Sequence, residues 1–190
     1  MTDAVAKGVN FVFAKEYILK EHGEDVWRRA LSRLPLEQAA IWTGALVPFG
    51  GYSFPAFKAM THAVAEETGQ RDDRELARMY EYIADRSLNA VYKIFIKLAH
   101  PSFVIGNYPK LWSRFFTTGS VTVPAADKGF AKVHFELPEM FLDWLRPACL
   151  GYSNKAVSMS GGRDVLVEER SRKLMPSGDW AVDFEIRWSE

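Results

Sequence analysis

At 190 residues, 48% hydrophobic and 25% charged, the chain has the size and balance of one packed domain, which argues against a disordered or fibrous protein. Its 24 Lys plus Arg are matched by 24 Asp plus Glu, so no net field draws it to a polyanion and nucleic acid is not an expected partner. No apolar run reaches the roughly 18 residues of a membrane span, no leader-like apolar core follows Met1, and the lone Cys149 has no partner for an internal disulfide, so a cytoplasmic protein is expected.

Phe11, Phe13, Ala14, Tyr17 and Ile18 recur at helical spacing, and Gly23 interrupts them before GEDVWRRALSRL, which predicts two short helices or one kinked helix. In the second stretch Glu24 and Asp25 come early and Arg28, Arg29 and Arg33 late, the order that the helix dipole favours. Pro35 is suited to open LEQAAIWTGAL, and VPFGGYSFP, with its prolines and paired glycines, reads as a loop. A helix is expected from about Pro55 to Glu67. A long central one follows from Asp72 to about His100, with Leu76, Met79, Tyr80, Ile83, Leu88, Val91, Tyr92, Phe95 and Leu98 on its stripe. Pro101 ends that helix or opens a further segment, SFVIGNYPKLWSRFFTT, interrupted by Gly106 and Pro109.

At Gly119 the period changes to alternation. SVTVPA and AKVHFEL read as a hairpin around DKG, and Pro138 then opens a helix over EMFLDWLRPACLGYSNKAVSM, which Pro147 is expected to bend. RDVLVEERSRKL and WAVDFEIRW form a second hairpin through MPSGD, and in the last strand Trp180, Val182, Phe184, Ile186 and Trp188 alternate strictly with other residues. The expected fold is α+β over residues 1–190: a helical N-terminal half packed with an antiparallel sheet of about four strands, formed by two hairpins separated by a helix.

From Leu145 to Trp188 an ordered set of short features stands out: Cys149-x-Gly151, Gly161-Gly162, a V-x-V-x-E strand at Val165, Val167 and Glu169, Gly178-Asp179, and a closing Phe184-x-Ile186-x-Trp188. In this order they resemble the C-terminal half of 4-vinyl-reductase-like domains, a fold shared with haem-nitric-oxide-binding domains and with subunits of the vesicle-tethering transport particle. HGEDVWRRAL also looks like the early helix of the haem-binding branch, and the whole chain resembles a large myxobacterial paralogous family of unassigned function.

The resemblance implies a zinc site in the 4-vinyl-reductase branch, which Cys149 and Glu168 could match. Ser171 and Val182 stand where further ligands would be needed, and neither is an adequate zinc donor, so no metal is expected. In the haem branch it implies an axial histidine, for which His100 lies in the corresponding region. The Y-x-S-x-R string that would hold the propionates is missing, and Pro101 restricts the backbone at His100. No cofactor is expected, with haem kept as an alternative.

His22, His62, His100 and His134 show no metal-binding spacing, and neither a G-x-S-x-G elbow nor a phosphate loop occurs, so an enzyme is not expected. Cys149 reads as a core thiol. The stretch from Glu66 to Glu75 reads as a solvated corner where Asp72 or Asp73 caps a helix. In VEERSRK, strand alternation puts Glu168, Arg170 and Arg172 on one face and Val167, Glu169 and Ser171 on the other, which reads as a cross-strand salt-bridge ladder or, alternatively, as Glu169 pointing inward at a ligand or the neighbouring helix.

What exceeds an ordinary core is the ring content, thirteen Phe, seven Tyr and six Trp. The expected function is therefore sensory or regulatory, through a small apolar or aromatic ligand or a protein partner. The candidate contacts are Trp112, Phe115, Phe116, Phe141, Trp144 and Tyr152, with His100, Tyr152 and Glu169 supplying polar contacts. The alternative is a homodimer or adaptor in which the rings form core and interface.

Overall fold

Gly23 has φ +80°, a backbone state that glycine reaches at no steric cost, and it splits the first helical stretch in two. In the computed structural model, which describes residues 4–69, 73–92 and 100–190 and no side chain at 90–92, the halves are α1 (Gly8–Glu21) and α2 (Gly23–Ser32). Pro35 lies one position earlier than expected, as the residue that caps α3 (Leu36–Thr43).

The loop expected over VPFGGYSFP contains a strand. β2 (Gly51–Ser53) pairs antiparallel with β1 (Val5–Lys7), both too short to show alternation in the sequence. Ser53 then accepts a hydrogen bond from the Ala56 amide, capping α4 (Phe54–Glu67).

α5 (Arg74–Tyr92) buries Leu76, Met79, Tyr80, Ile83 and Leu88 as its spacing predicts. The expected start at Asp72 and the continuation through Phe95 and Leu98 lie outside the described residues, as do the side chains of Val91 and Tyr92. Pro101 opens a new helix, α6 (Pro101–Gly106), followed by α7 (Tyr108–Phe115).

The C-terminal part follows the expected order: β3 (Ser120–Asp127), β4 (Phe130–Leu137), a short 3-10 turn, α8 (Leu142–Met159), β5 (Arg163–Leu174) and β6 (Trp180–Ser189). Pro147 lies inside α8, which continues past it. The four strands form one antiparallel sheet in the order β3-β4-β6-β5, so β6 sits between the two hairpins' other members. The fold is α+β, a helical N-terminal half packed with this sheet, and α8 lies against both α5 and β5.

Val182, Phe184, Ile186 and Trp188 are buried on the inner face of β6, whose alternation was legible in the sequence. Most of the ring surplus is core: Phe11, Trp42, Phe54, Phe57, Phe141, Trp144 and Phe184 are among the fully buried side chains. No helix among the described residues is long and apolar enough to cross a membrane.

Candidate functional site

A cavity of about 60 Å³ lies between α5, α7, α8 and the β3–β4 side of the sheet. Each wall follows from the local period. Helical steps of three and four place Tyr80 and Ile83 of α5 side by side, Tyr108, Leu111, Trp112 and Phe115 along α7, and Trp144, Leu145, Ala148, Cys149 and Tyr152 along α8. Phe116 follows α7, and strand alternation brings in Val121 and Phe135. Edge-on contacts hold the rings, with Phe115 to Tyr152 at 5.8 Å and Trp112 to Phe135 at 5.6 Å between centroids.

Among the described residues no charged side chain lines this space, and its Tyr80, Tyr108 and Cys149 side chains are held neutral. Burial pushes the Cys149 thiol up to about 12, and burial likewise raises the phenols of Tyr80 and Tyr108 well above their ordinary range. The Tyr108 hydroxyl pairs with Ser153 Oγ at 3.0 Å. Tyr80 meets the edge of the Trp144 ring at 5.1 Å. Both residues are almost wholly buried.

Five of the residues singled out from the sequence, Trp112, Phe115, Phe116, Trp144 and Tyr152, stand in the wall of one cavity. Phe141 does not line it. It lies behind the wall, stacked on Phe54 at 4.0 Å and edge-on to Trp144 at 5.9 Å.

His100 is elsewhere, and exposed. It caps α6 through its contacts with Ser102, and its Nε2 lies 2.6 Å from Glu190 Oε1. Glu169 is also away from the cavity. A bulge between Glu169 and Ser171 inserts Arg170, so the alternation shifts by one and Arg172 returns to the inner face beside Glu169. The two form a paired contact, Arg172 Nε and Nη2 each donating at 2.8 Å to one carboxylate oxygen. The reading that set them on opposite faces is thereby corrected.

Tyr80, Tyr108 and Cys149 were not among the expected ligand contacts. The available signal was a tyrosine inside an apolar helical stripe, whose hydroxyl must find a partner once buried.

The remaining ionisable groups pair outside the cavity. His22 Nε2 lies 2.5 Å from Glu75, His62 lies 3.5 Å from Asp143, and His134 Nδ1 lies 2.7 Å from Asp183. Glu75, expected in a solvated corner, is fully buried. The Ser171 hydroxyl donates to Asp183 rather than to His134, so this Ser–Asp–His group holds no activated nucleophile. Among the described residues no three of His, Cys, Asp and Glu are grouped to hold a metal ion.

No protein-family model matches the sequence, and no curated protein does. Solved structures do share the fold. A crystal structure of an Fe(II) unliganded H-NOX protein from K. algicida aligns over 97% of this chain and 97% of its own, with TM-score 0.73 and 14% identity. A mutant H-NOX from T. Tengcongensis aligns over 97% and 98%, with TM-score 0.72 and 12% identity. An oxygen-binding H-NOX domain related to soluble guanylate cyclases, in its oxygen complex, aligns over 97% and 95%, with TM-score 0.71 and 12% identity. The fold is thus that of haem-nitric-oxide-binding domains, as the resemblance implied.

This corrects the expectation of a chain with no cofactor. A further structural neighbour, at TM-score 0.70 and 12% identity over 95% of this chain and 99% of its own, is described as modulating haem redox potential through porphyrin distortion, so the fold points to haem. The described lining, however, does not fit a haem held by imidazole. None of the four histidines lines the cavity, and among the described residues no Arg or Lys lines it to meet a propionate. The iron donors it offers are tyrosines and Cys149, and burial keeps Tyr80, Tyr108 and Cys149 protonated.

Proposed function

We propose that the chain is a sensory domain that receives a small, uncharged apolar or aromatic molecule in the ring-lined cavity between helices and sheet. The observation that carries this reading is the wall itself, with rings on the helical and the sheet side and no charged side chain among the described residues. Such a space rewards shape and stacking and excludes ions, whose burial without a partner is costly. The solved structures of the same fold include one described as giving insight into H-NOX activation, which supports a signalling role in place of a catalytic one.

The test is thermal unfolding of the full chain with a panel of phenols, indoles and fatty acids. A ligand selective for the native state at a hundred times its Kd stabilises it by about 2.7 kcal/mol, a readily measured rise in Tm. Trp112→Ala removes part of the wall and is expected to abolish the rise. A panel that leaves Tm unchanged throughout overturns the proposal.

Haem in the same cavity is the second reading, favoured by the fold and opposed by the donor set. Titration with haem under reducing conditions decides it. A Soret band that saturates at one equivalent and is lost in Tyr108→Phe or Cys149→Ser supports it, and free haem absorbance throughout eliminates it.

A further inference from the structure

β5 is an open edge of the sheet. It pairs with β6 on one side and with no strand among the described residues on the other, and Arg163–Leu174 holds neither a proline nor a glycine to interrupt a further ladder. The opposite edge is obstructed, since β3 carries Pro124, which has no N–H to give, and packs against α6 and α7. From Val167 to Leu174 the open strand reads Val-Glu-Glu-Arg-Ser-Arg-Lys-Leu, with an apolar residue at each end, two acids after the first and two bases before the last. Read backwards, the same string inverts in charge. We infer that β5 pairs antiparallel with β5 of a second copy of this chain, about a two-fold axis between Arg170 and Ser171, to give a homodimer with one sheet running through both subunits.

That axis sets Val167 opposite Leu174 of the second copy, Glu168 opposite Lys173 and Glu169 opposite Arg172, and each pairing occurs twice. An unbroken strand could not do this. Residues that meet across a ladder share a face, and the members of each of these pairs lie an odd number of steps apart in the sequence. The bulge at Arg170 removes the mismatch: Val167, Glu169, Arg172 and Leu174 stand opposite Ile186, Phe184, Val182 and Trp180 on the inner face, while Glu168 and Lys173 stand opposite Glu185 and Ala181 on the outer one. Lys173 is exposed and makes no ion pair among the described residues, and Leu174 is 55% exposed, so the second copy meets groups that this copy leaves unpaired. Glu169 and Arg172, joined within one chain by two bonds of 2.8 Å, close with their copies into a ring of alternating charge. Neighbouring registers fail, because a shift of two residues sets Val167 against Arg172 in one direction and Arg170 against Lys173 in the other. Charges and bulges also serve to keep edge strands apart, but that defence needs no particular order, whereas these charges complement one another under a single two-fold.

The test is sedimentation velocity on the full chain at low salt, from micromolar to millimolar concentration. The wild-type chain is expected to pass from one copy to two and no further, and hydrogen exchange of the β5 amides is expected to slow as the dimer fills. Glu168→Lys and Lys173→Glu each set like charges opposite one another at both ends of the pairing, and each is expected to weaken dimerisation about tenfold. Mixed in equal amounts the two variants are expected to restore it, since only the mixed dimer opposes every Lys with a Glu. Leu174→Lys, at an exposed position, is expected to weaken the dimer independently of that pair. A wild-type chain that stays single at millimolar concentration overturns the inference and leaves the edge to a strand of another protein. A dimer indifferent to both charge reversals overturns it too, as does assembly beyond two copies, which a closed two-fold pairing does not give. The wild-type measurements decide the question even if a variant fails to fold.

Discussion

Gly151 of α8 packs directly on the backbone carbonyl of Ala77 in α5, and a methyl carbon built on it would overlap that oxygen. The contact sets the closest approach of the two helices that supply Tyr80 and Trp144. It also gives the Cys149-x-Gly151 step a physical meaning, since the thiol faces the cavity two residues before the glycine that lets α8 come close.

Gly151→Ala is therefore expected to destabilise the fold despite alanine's better helix propensity. The overlap is with backbone and not with a flexible side chain, so α5 and α8 must separate, at a cost of roughly 1–3 kcal/mol or more. Urea unfolding measures it. An unchanged midpoint would mean that α5 moves aside freely.

His22→Ala should cost roughly 1–3 kcal/mol, because it leaves the buried Glu75 carboxyl, whose Oε1 lies 2.5 Å from His22 Nε2, with the Tyr17 hydroxyl as its remaining side-chain partner among the described residues. Replacing both residues by apolar ones of similar size, His22→Leu with Glu75→Met, should recover most of the loss. A double-mutant cycle in denaturant checks this, and strict additivity would argue against coupling.

His134 and Asp183 make one part of the stability depend on pH. The hydrogen bond to Asp183 raises His134 above its ordinary 6.5, so its contribution is complete below about that pH and is lost as pH rises through the folded value. The Ser171 hydroxyl, and then His134, hold Asp183 below its ordinary 3.8, so its contribution is present above that value and is lost as pH falls through the lowered one. The side chains of His134 and Asp183 are 26% and 48% exposed, so the pair is worth under about 1 kcal/mol. Asp183→Asn should flatten the decline of stability from pH 6 to pH 9 in denaturant titrations. An identical decline in the variant would assign it to other groups.

Cys149 should be inert to thiol reagents in the native chain. It is buried, and burial pushes its pKa up to about 12, so the thiolate that would attack is scarce at neutral pH. Labelling is expected to follow opening of the structure, and a cavity ligand should slow it in proportion to its stabilisation. Rapid labelling of folded protein would contradict the burial.

The parts of the fold readable from the sequence were those where one period persists over several residues. The strict alternation of Val182, Phe184, Ile186 and Trp188 and the helical stripe from Leu76 to Leu88 correspond to buried faces. β1 and β2 were invisible, because three residues show no period and their pairing is long-range. The grouping of Trp112, Phe115, Phe116, Trp144 and Tyr152 followed from their position at the predicted junction of helices and sheet. His100 and Glu169 failed for local reasons that a pattern does not reveal. A proline-opened helix turned the one into a cap, and a single inserted residue, Arg170, gave the other an arginine partner.

The strand order carries a consequence for how the chain acquires its structure. β6 is made after β5 yet lies between β4 and β5, so the first hairpin cannot join the second until Trp180–Ser189 has left the ribosome. Until then one side of β4 and the inner surface of α8 stand open to water. The rings of α7, α8 and β4 are thus synthesised before the strand that covers them, and that is the stage at which chaperones should engage the chain.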